Sequence, residues 1–234
     1  MSPDDPLAGL KREAAERAVA EVRSGMVVGL GTGSTATLAV DAIGRRMREE
    51  GLDIVGIPTS ERTAAQARSL GIQLSDFGSH DVIDLTLDGA DAVERGTLTL
   101  IKGLGGALLR EKIVAAASRR MIVMVDQTKL RGPLGSFCPV PVEVTRFGWQ
   151  ATRRHLVGLG VEPVLRSVAA GEPLVTDGGN LILDCSFGPI PDARALQQEI
   201  KKIPGVVETG LFIDIADRVI IAADHGIEIL QSED

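Results

Sequence analysis

The sequence predicts an α/β fold in which a doubly wound parallel sheet carries a second, smaller α+β domain. Two observations support this fold class. Short apolar runs alternate with amphipathic helical patterns along the first half of the chain, as they do where helices connect buried parallel strands. Beyond Pro133 the order becomes strand, helix, strand, strand, helix, strand, which indicates a separate antiparallel sheet.

The first domain is expected to begin with a helix from Pro6 to about Ser24, because apolar and alanine positions recur there at helical spacing before Gly25. Buried strands are predicted at Met26–Leu30, Ile54–Ile57, Val82–Leu87 and Met121–Val125. The helices between them are predicted at Ala36–Glu49, Glu61–Leu70 and Ala107–Ser118. A further strand, Thr97–Ile101, follows Arg95-Gly96, a pair typical of a hairpin tip.

The second domain has the βαββαβ order of a ferredoxin-like arrangement. Its strands are predicted at Val140–Phe147, Glu162–Arg166, Asn180–Asp184 and Val206–Leu211, and its helices at Trp149–Leu159 and Asp192–Lys202. We therefore expect an inserted α+β domain over residues 133–205 and a discontinuous first domain over residues 1–132 and 206–234. The last apolar run, Val219–Ala223, should return to the first domain.

Length and composition favour a cytoplasmic protein. The 234 residues, of which 44% are hydrophobic, can fill a core without cross-links. Cys138 and Cys185 lie outside any CxxC pair, so both are expected to be buried thiols. The first residues lack the basic region and apolar run of a signal peptide, and no apolar stretch is long enough to span a bilayer. These features predict a soluble protein of the cytoplasm with no membrane partner.

The net charge of −7 argues against a nucleic-acid partner, because binding to a phosphate backbone needs a basic surface. Only 3% of the residues are aromatic and none is tyrosine, so platforms for base stacking are scarce as well. A small anionic ligand needs positive charge only at its own site. The composition therefore leaves small molecules as the expected ligands.

The first chemical motif is the glycine turn Gly31-Thr32-Gly33-Ser34-Thr35-Ala36, which leads from a predicted strand into a helix. The free amides and the dipole at such a helix start favour an anion. The spacing Gly31-x-Gly33-x-x-Ala36 also satisfies the relaxed dinucleotide fingerprint, but Pro58-Thr59-Ser60 stands where that motif has an acid. Phosphate binding, dinucleotide binding and a structural turn all stay open from the residues alone.

The second motif, Asp88-Gly89-Ala90-Asp91, places two carboxylates at the carboxyl end of a predicted parallel strand, where ligands bind in open sheets. An Asp-Gly turn followed by a helix cap explains it equally well. In the third motif, Glu111 follows the turn Lys102-Gly103-Leu104-Gly105-Gly106 on a helix. Its neighbours at helical spacing are apolar, but those of Lys112 are too, so spacing alone favours a solvated Glu111.

The fourth motif places Lys129 after another strand end, where it could pair with a phosphate or be simply solvated. The three histidines, His80, His155 and His225, show no spacing that suggests a metal site or a catalytic triad. They are assigned no role.

Taken in order along nearly the whole chain, these segments resemble ribose 5-phosphate isomerase of the A type. The resemblance rests on Gly31-Thr32-Gly33-Ser34-Thr35, Asp88-Gly89-Ala90-Asp91, Lys102-Gly103-x-Gly105-Gly106-Ala107-Leu108-x-Arg110-Glu111-Lys112, Asp126-x-x-Lys129 and, more weakly, Gly210-Leu211-Phe212. It implies a Rossmann-like domain with an inserted ferredoxin-like domain. Leu109 stands where the family often has threonine, a departure that should not affect the chemistry, because Leu109 points away from Glu111 around the helix.

The resemblance also implies roles for individual residues. Glu111 matches the proton-transferring glutamate, Lys102 is expected to stabilise an enediolate, and Asp88 or Asp91 is expected to assist opening of the sugar ring. Substrate contacts are implied for Thr32, Gly33, Ser34, Thr35, Asp88, Gly89, Ala90, Asp91, Lys102, Gly103, Leu104, Gly105 and Lys129. A phosphate-binding lysine near the N-terminus of the family is loosely matched by Lys11.

The implied reaction is the interconversion of ribose 5-phosphate and ribulose 5-phosphate, a step of the non-oxidative pentose phosphate pathway, by a homodimer or dimer of dimers. The resemblance implies neither cofactor nor metal. Three alternatives stay open: a sugar-phosphate sensor, although the chain has no obvious basic DNA-binding domain, a coenzyme A transferase-like enzyme with a glutamate nucleophile, and a dehydrogenase.

Overall fold

The computed structural model describes residues 5–168 and 171–232, and the chain divides into two compact units. Among the described residues, the first unit comprises 5–90, 110–129 and 214–232, and the second comprises 91–109 and 130–213. The elements are, in chain order, α1 (Ala8–Val19), β1 (Val27–Leu30), α2 (Ser34–Glu50), β2 (Val55–Pro58), α3 (Glu61–Ser69), β3 (Gln73–Leu74), β4 (Leu85–Gly89), β5 (Ala92–Val93), β6 (Leu100–Ile101), α4 (Leu108–Ala116), β7 (Met121–Asp126), a 3₁₀ helix (Gln127–Leu130), β8 (Val140–Val144), α5 (Trp149–Val157), β9 (Val164–Leu165), β10 (Leu181–Cys185), α6 (Ala193–Lys201), β11 (Val206–Thr209), β12 (Leu211–Phe212), β13 (Arg218–Ala223) and β14 (Gly226–Gln231).

The first unit is built on a seven-stranded sheet with the order β14-β13-β7-β4-β1-β2-β3. Neighbouring strands are parallel except β13 and β14, which form an antiparallel pair. From β1 the chain adds strands first toward β3 and then, through β4, toward β13. This is the strand order of a doubly wound fold, so the predicted fold class is confirmed.

Helices pack on both faces of this sheet because its strands are apolar on both sides. Val28 and Leu30 of β1 belong to a large buried cluster that includes residues of α1 and α2. Gly29 lies between them and faces the other side, where an added Cβ would lie 2.8 Å from Cγ1 of Val114 in α4. Gly29 therefore lets α4 pack closely against the sheet.

The second unit contains a four-stranded antiparallel sheet with the order β11-β8-β10-β9. With α5 and α6 it forms the predicted βαββαβ arrangement, in which the first strand pairs with the third and the fourth. The helices contribute Leu156 and Ile200 to a core that contains Val144 and Leu183 of the sheet. This part of the fold confirms the ferredoxin-like prediction.

A smaller antiparallel sheet of the second unit has the order β12-β6-β5. The predicted hairpin tip at Arg95-Gly96 connects β5 to β6, and Gly96 has φ +93°. The predicted single strand Val206–Leu211 is wrong, because the chain changes sheets at Gly210. A Cβ at this position would lie 2.3 Å from the carbonyl oxygen of Lys102. Only glycine therefore lets the backbone pass this close to Lys102 where it leaves one sheet for the other.

The limits of 133 and 205 for the inserted domain stay a prediction. β11 begins at Val206 and pairs with β8 in the antiparallel sheet. Of the strands that were not predicted, β3 and β5 have two residues each, too short for a recognisable pattern. The third, β14, is an edge strand with partly exposed residues.

Neither a membrane span nor a metal cluster is found in the described part of the chain. No helix of residues 5–168 and 171–232 is long and apolar enough to cross a bilayer. In the same ranges no group of three or more His, Cys, Asp or Glu side chains is placed to hold a metal ion. His80 binds the hydroxyl of Ser75 through Nδ1 at 2.8 Å.

The two cysteines, both within the described residues, form no disulfide and have different surroundings. Cys185 lies buried in β10, as predicted, whereas Cys138 is half-buried in the segment before β8, so the prediction of burial is wrong for this residue. Burial, with the charge of Asp184 acting in the same direction, raises the pKa of the Cys185 thiol to about 12. Cys185 therefore stays protonated and unreactive near neutral pH.

We expect a thiol reagent such as DTNB at pH 8 to titrate Cys138 alone in the folded protein, and both cysteines after unfolding in guanidinium chloride. The raised pKa of Cys185 keeps its thiolate population negligible below pH 10, and packing blocks access. Cys138→Ser should abolish the reactivity of the folded protein. Fast modification of Cys185 in native Cys138→Ser would contradict this assignment.

Candidate active site

Three parallel strands of the first unit, β1, β4 and β7, end at the same edge of the sheet. Leu30 pairs with Leu87, and Gly89 pairs with Met124. Because the carboxyl ends of parallel strands are neighbours, the turns that follow them lie side by side. The glycine turn after β1, Asp88 at the end of β4 and the loop after β7 are thus brought together.

Asp88 binds the backbone of the glycine turn. Its carboxylate is fully buried, and Oδ1 accepts hydrogen bonds from the amides of Thr32 at 3.1 Å and Gly89 at 2.7 Å. Glycine is required at position 31, because a Cβ on Gly31 would lie 2.3 Å from this oxygen. The carboxylate therefore fixes the turn, and this contact alone explains the first glycine of the motif.

The hydroxyl of Thr32 lies in a buried cluster with three hydroxyls that follow β2. The distances from its Oγ1 are 2.7 Å to Thr59, 2.8 Å to Ser60 and 3.1 Å to Thr63. Ser60 is also the N-cap of α3 and accepts a hydrogen bond from the amide of Thr63 at 3.1 Å. The positions where the dinucleotide fingerprint has an acid are thus occupied by hydroxyls that hold the turn.

Helix α2 begins at Ser34, directly after the N-cap Gly33, which has φ +120°. Ser34 is exposed and Thr35 is nearly buried. A Cβ built on Gly89 would lie 3.9 Å from Cβ of Thr35, so the Asp88 motif lies beside this helix start. The first amides of α2 and two hydroxyls form a local environment that suits an anion.

Glu111 lies in the first turn of α4 and is only 2% exposed. The expectation of a solvated side chain, which rested on helical spacing alone, is wrong, because packing beyond the helix itself covers this residue. The adjacent Arg110 is more accessible and pairs with Glu61 at 2.9 Å. A carboxylate shielded from water in this way is suited to removing a proton from carbon.

Lys129 lies in the 3₁₀ helix after β7. Buried Asp126 holds the start of this helix, because its Oδ1 accepts hydrogen bonds from the amide of Thr128 at 2.9 Å and from its hydroxyl. Nearby, Nζ of Lys11 donates to Asp5 at 2.7 Å. The hydrogen bond from Lys11 holds the pKa of Asp5 below its usual range, and the charge of Lys129 acts in the same direction. The positive charges of Lys11 and Lys129 thus both stabilise the Asp5 carboxylate.

In the second unit, Lys102 follows β6 and is 2% exposed. Its amide donates to the carbonyl of Gly210 at 2.8 Å, and its Nζ lies 5.4 Å from the ring centroid of Phe212, a cation–π distance. The backbone and the side chain of this lysine are therefore both held in place. The weak Gly210-Leu211-Phe212 motif supplies both contacts.

The turn that follows Lys102 is closed by a hydrogen bond from the amide of Gly106 to the carbonyl of Gly103 at 3.0 Å. These two glycines have φ values of +84° and +103°. The amide of Leu104 donates to Oδ2 of Asp91 at 2.9 Å. Among the hydrogen bonds of the described residues, none uses the amides of Gly103 or Gly105. Those two amides are the donors that the turn offers to a ligand.

A residue outside every predicted motif also contacts this turn. Arg166, directly after β9, donates to the carbonyls of Gly103 at 2.7 Å and Leu104 at 3.1 Å. It is 63 residues from Gly103 along the chain, and no motif surrounds it. No local signal could have revealed this contact, because it depends on how the second unit folds.

A cavity of about 320 Å³ opens in the first unit, lined by Ile57, Pro58, Ser75, Asp76, Phe77, Arg110, Ile113 and Val114. No predicted site residue lines this cavity. Its wall is mostly apolar, and its one basic residue, Arg110, already pairs with Glu61. The cavity therefore lacks the positive charge and the free donors that a phosphate needs.

Comparison with known proteins finds relatives of one family over most of the chain. The family model of ribose 5-phosphate isomerase A (phosphoriboisomerase A) matches residues 55–226. The ribose-5-phosphate isomerase A of Gloeobacter violaceus is 59% identical over 221 residues, which cover 94% of this chain and 95% of that protein. That of Thermomicrobium roseum is 51% identical over 221 residues and covers 94% and 93%.

Solved structures agree with these sequences. Ribose 5-phosphate isomerase A from Methanocaldococcus jannaschii superposes with a TM-score of 0.92 at 41% identity, covering 97% of this chain and 100% of that one. A D-ribose-5-phosphate isomerase in complex with phospho-erythronic acid superposes with a TM-score of 0.91 at 38% identity, covering 95% and 98%.

We expect Gly31→Ala to destabilise the fold by about 1–3 kcal/mol, the usual range for overpacking a buried site, because its methyl group would collide with Asp88. Chemical denaturation followed by circular dichroism measures this loss. Gly9→Ala is the matched control, since nothing lies within 4 Å of an added Cβ at that helical position. Equal stability of the two variants would refute the role given to the contact between Gly31 and Asp88.

Proposed function

The chain belongs to the ribose 5-phosphate isomerase A family, and we propose that it interconverts D-ribose 5-phosphate and D-ribulose 5-phosphate. The observation that carries this proposal is the nearly buried carboxylate of Glu111, at the position that matches the proton-transferring glutamate of the family. The reaction is an aldose–ketose isomerisation and needs one base that acts in both directions.

Glu111 is the proposed base. In the forward direction it removes the proton from C2 of the open-chain aldose and returns it to C1, while the hydroxyl proton moves from O2 to O1. The intermediate is an enediolate with negative charge on oxygen. Since a carboxylate in bulk water is a weak base toward carbon, the 2% exposure of Glu111 supports this role.

The proposed donors to the enediolate are the ammonium group of Lys102 and the amides of Gly103 and Gly105. Both kinds of donor are fixed in the folded chain before substrate arrives, which is the condition for strong electrostatic stabilisation. The amide of Leu104 is excluded from this set, because it donates to Asp91. With these donors the proposed reaction requires neither a metal nor a cofactor.

The phosphate is proposed to bind at the start of α2, where Ser34 and Thr35 supply hydroxyls next to free amides, with positive charge from Lys129 and Lys11. Lys11 pairs with Asp5, and a bound phosphate would compete with the Asp5 carboxylate for this lysine. The related structure with phospho-erythronic acid supports this class of ligand, because that molecule combines a phosphate with a planar carboxylate.

Ring opening is assigned to Asp88 or Asp91, which would exchange a proton with the sugar ring oxygen and the C1 hydroxyl. The remaining predicted contacts, those of Thr32, Gly33, Gly89, Ala90 and Leu104, are proposed to shape the substrate site. The amides of Thr32 and Gly89 already donate to Asp88 and that of Leu104 to Asp91, and the hydroxyl of Thr32 lies within the buried cluster.

We also propose that the enzyme acts in the cytoplasm as a homodimer or a dimer of dimers. Two cysteines outside any disulfide are consistent with a reducing compartment. The insertion of a ferredoxin-like domain near residues 133–205 is likewise proposed, with support from the strand order of β8 to β11.

Glu111→Gln should reduce kcat by at least about a hundredfold, the usual scale for loss of a general base, because the amide keeps the shape but cannot accept the proton. Formation of the ketose, ribulose 5-phosphate, from ribose 5-phosphate in excess EDTA measures the change. Glu50→Gln, an exposed glutamate on α2, is the control and should be as active as the natural protein. Near-normal turnover of Glu111→Gln would remove Glu111 from this role.

The same assay tests the function itself. If the natural protein binds ribose 5-phosphate without forming ketose, a sensor becomes the better interpretation. A thioester trapped on Glu111 would instead indicate coenzyme A transfer.

Lys129→Ala should raise KM for ribose 5-phosphate about tenfold or more with little change in kcat, because it removes positive charge that is proposed to bind the non-reacting phosphate. Steady-state kinetics at fixed ionic strength measure both constants. Lys202→Ala, an exposed lysine of the second unit, should leave KM unchanged. A large loss of kcat at unchanged KM would contradict phosphate binding by Lys129.

A further inference from the structure

Arg166 connects the ferredoxin-like sheet to the glycine turn of the same unit. Its Nε donates to Oδ2 of Asp184 at 2.9 Å, and its Nη2 donates to the other oxygen of this carboxylate. Its Nη1 donates to the carbonyls of Gly103 and Leu104. The side chains of Arg166 and Asp184 are only 11% and 21% exposed, so the pair is well shielded from solvent.

These contacts fix the orientation of two successive peptide groups. In a trans peptide the C=O and the N–H point in opposite directions. The peptide between Gly103 and Leu104 is therefore held at both ends, by Arg166 at its oxygen and by Asp91 at its N–H. The next peptide is held at the oxygen of Leu104, so its N–H, on Gly105, points away from Arg166.

The turn needs such a restraint because glycines flank Leu104. Glycine populates positive and negative φ with similar ease, so peptide groups next to it rotate at little energetic cost. Gly103 already has φ +103°. Without a bond to its carbonyl oxygen, the peptide between Leu104 and Gly105 would sample orientations that turn the Gly105 amide elsewhere.

We propose that Arg166 is a positioning residue for isomerisation: it orients the peptide between Leu104 and Gly105 so that the amide of Gly105 donates to the enediolate oxygen. Asp184 holds the guanidinium group in place for this task. The inference rests on the proposed function, since it assigns the Gly105 amide to the intermediate of that reaction. Arg166 itself does not contact the reacting atoms.

The chain offers a matched control for a purely structural arginine. Arg153 also lies in the second unit, donates from Nε to the carbonyl of Pro163 at 2.9 Å and pairs with Glu162. It combines the same kinds of contact, one backbone carbonyl and one carboxylate, without touching the glycine turn. Arg153→Met therefore reports what the loss of such contacts does to stability alone.

Arg166→Met should lower kcat by about thirty- to a hundredfold, while KM changes less than threefold. The expected loss is at or somewhat below that for complete removal of one oxyanion donor, which is about a hundred- to a thousandfold, because the Gly105 amide is misoriented rather than absent. Binding of phospho-erythronic acid should weaken in parallel with kcat, whereas competition by inorganic phosphate should not change. Arg153→Met should retain kcat. Arg166→Lys is a second variant in case Arg166→Met does not fold, because it keeps a positive charge beside Asp184. Its single ammonium group cannot replace the several donors of the guanidinium group, so kcat should still fall.

The outcomes separate this inference from the proposed function. If the natural protein isomerises ribose 5-phosphate and folded Arg166→Lys keeps its full kcat, the positioning role is overturned. An equal loss of kcat in Arg153→Met would also overturn it, because the effect would then be structural. If the natural protein forms no ketose, or if Glu111→Gln stays fully active, the proposed function itself fails.

Discussion

The active-site edge of the first unit depends on the contact between the Asp88 carboxylate and the turn after β1. A fully buried carboxylate is strongly destabilising unless hydrogen bonds compensate for its lost hydration. Here Oδ1 accepts the amides of Thr32 and Gly89, and the turn can approach it because Gly31 has no Cβ. The direction in which α2 leaves the turn, and with it the position of Ser34, follows from this contact.

The same backbone frame serves dinucleotide-binding proteins, and the side chains after β2 account for the difference. An acid at that position binds a ribose, whereas Thr59 and Ser60 place hydroxyls there that bind Thr32 inside the protein. The side chain of Thr32 is thereby bound by these hydroxyls, and its amide is bound by Asp88. What stays accessible is the start of α2 with exposed Ser34, which suits a single phosphate better than a dinucleotide.

Much of the fold could be predicted because buried parallel strands have a continuous apolar pattern, and β1, β2, β4 and β7 all lie close to their predicted positions. The motifs at their carboxyl ends follow from that topology. The burial of Glu111 could not be predicted, because Lys112 has equally apolar neighbours on the helix and tertiary packing decides between them. The change of sheets at Gly210 and the contact of Arg166 with the turn likewise depend on distant parts of the chain.

Both aspartates of the Asp88-Gly89-Ala90-Asp91 motif hold a glycine turn through a backbone amide: Asp88 binds that of Thr32, and Asp91 binds that of Leu104. A loss of activity on replacing either one therefore has two possible physical causes, a missing proton carrier or a displaced turn. Asparagine keeps an oxygen that can accept the amide, so it can preserve the turn while removing the acid. The difference between asparagine and alanine at each position thus separates the chemical role of the carboxylate from its structural one.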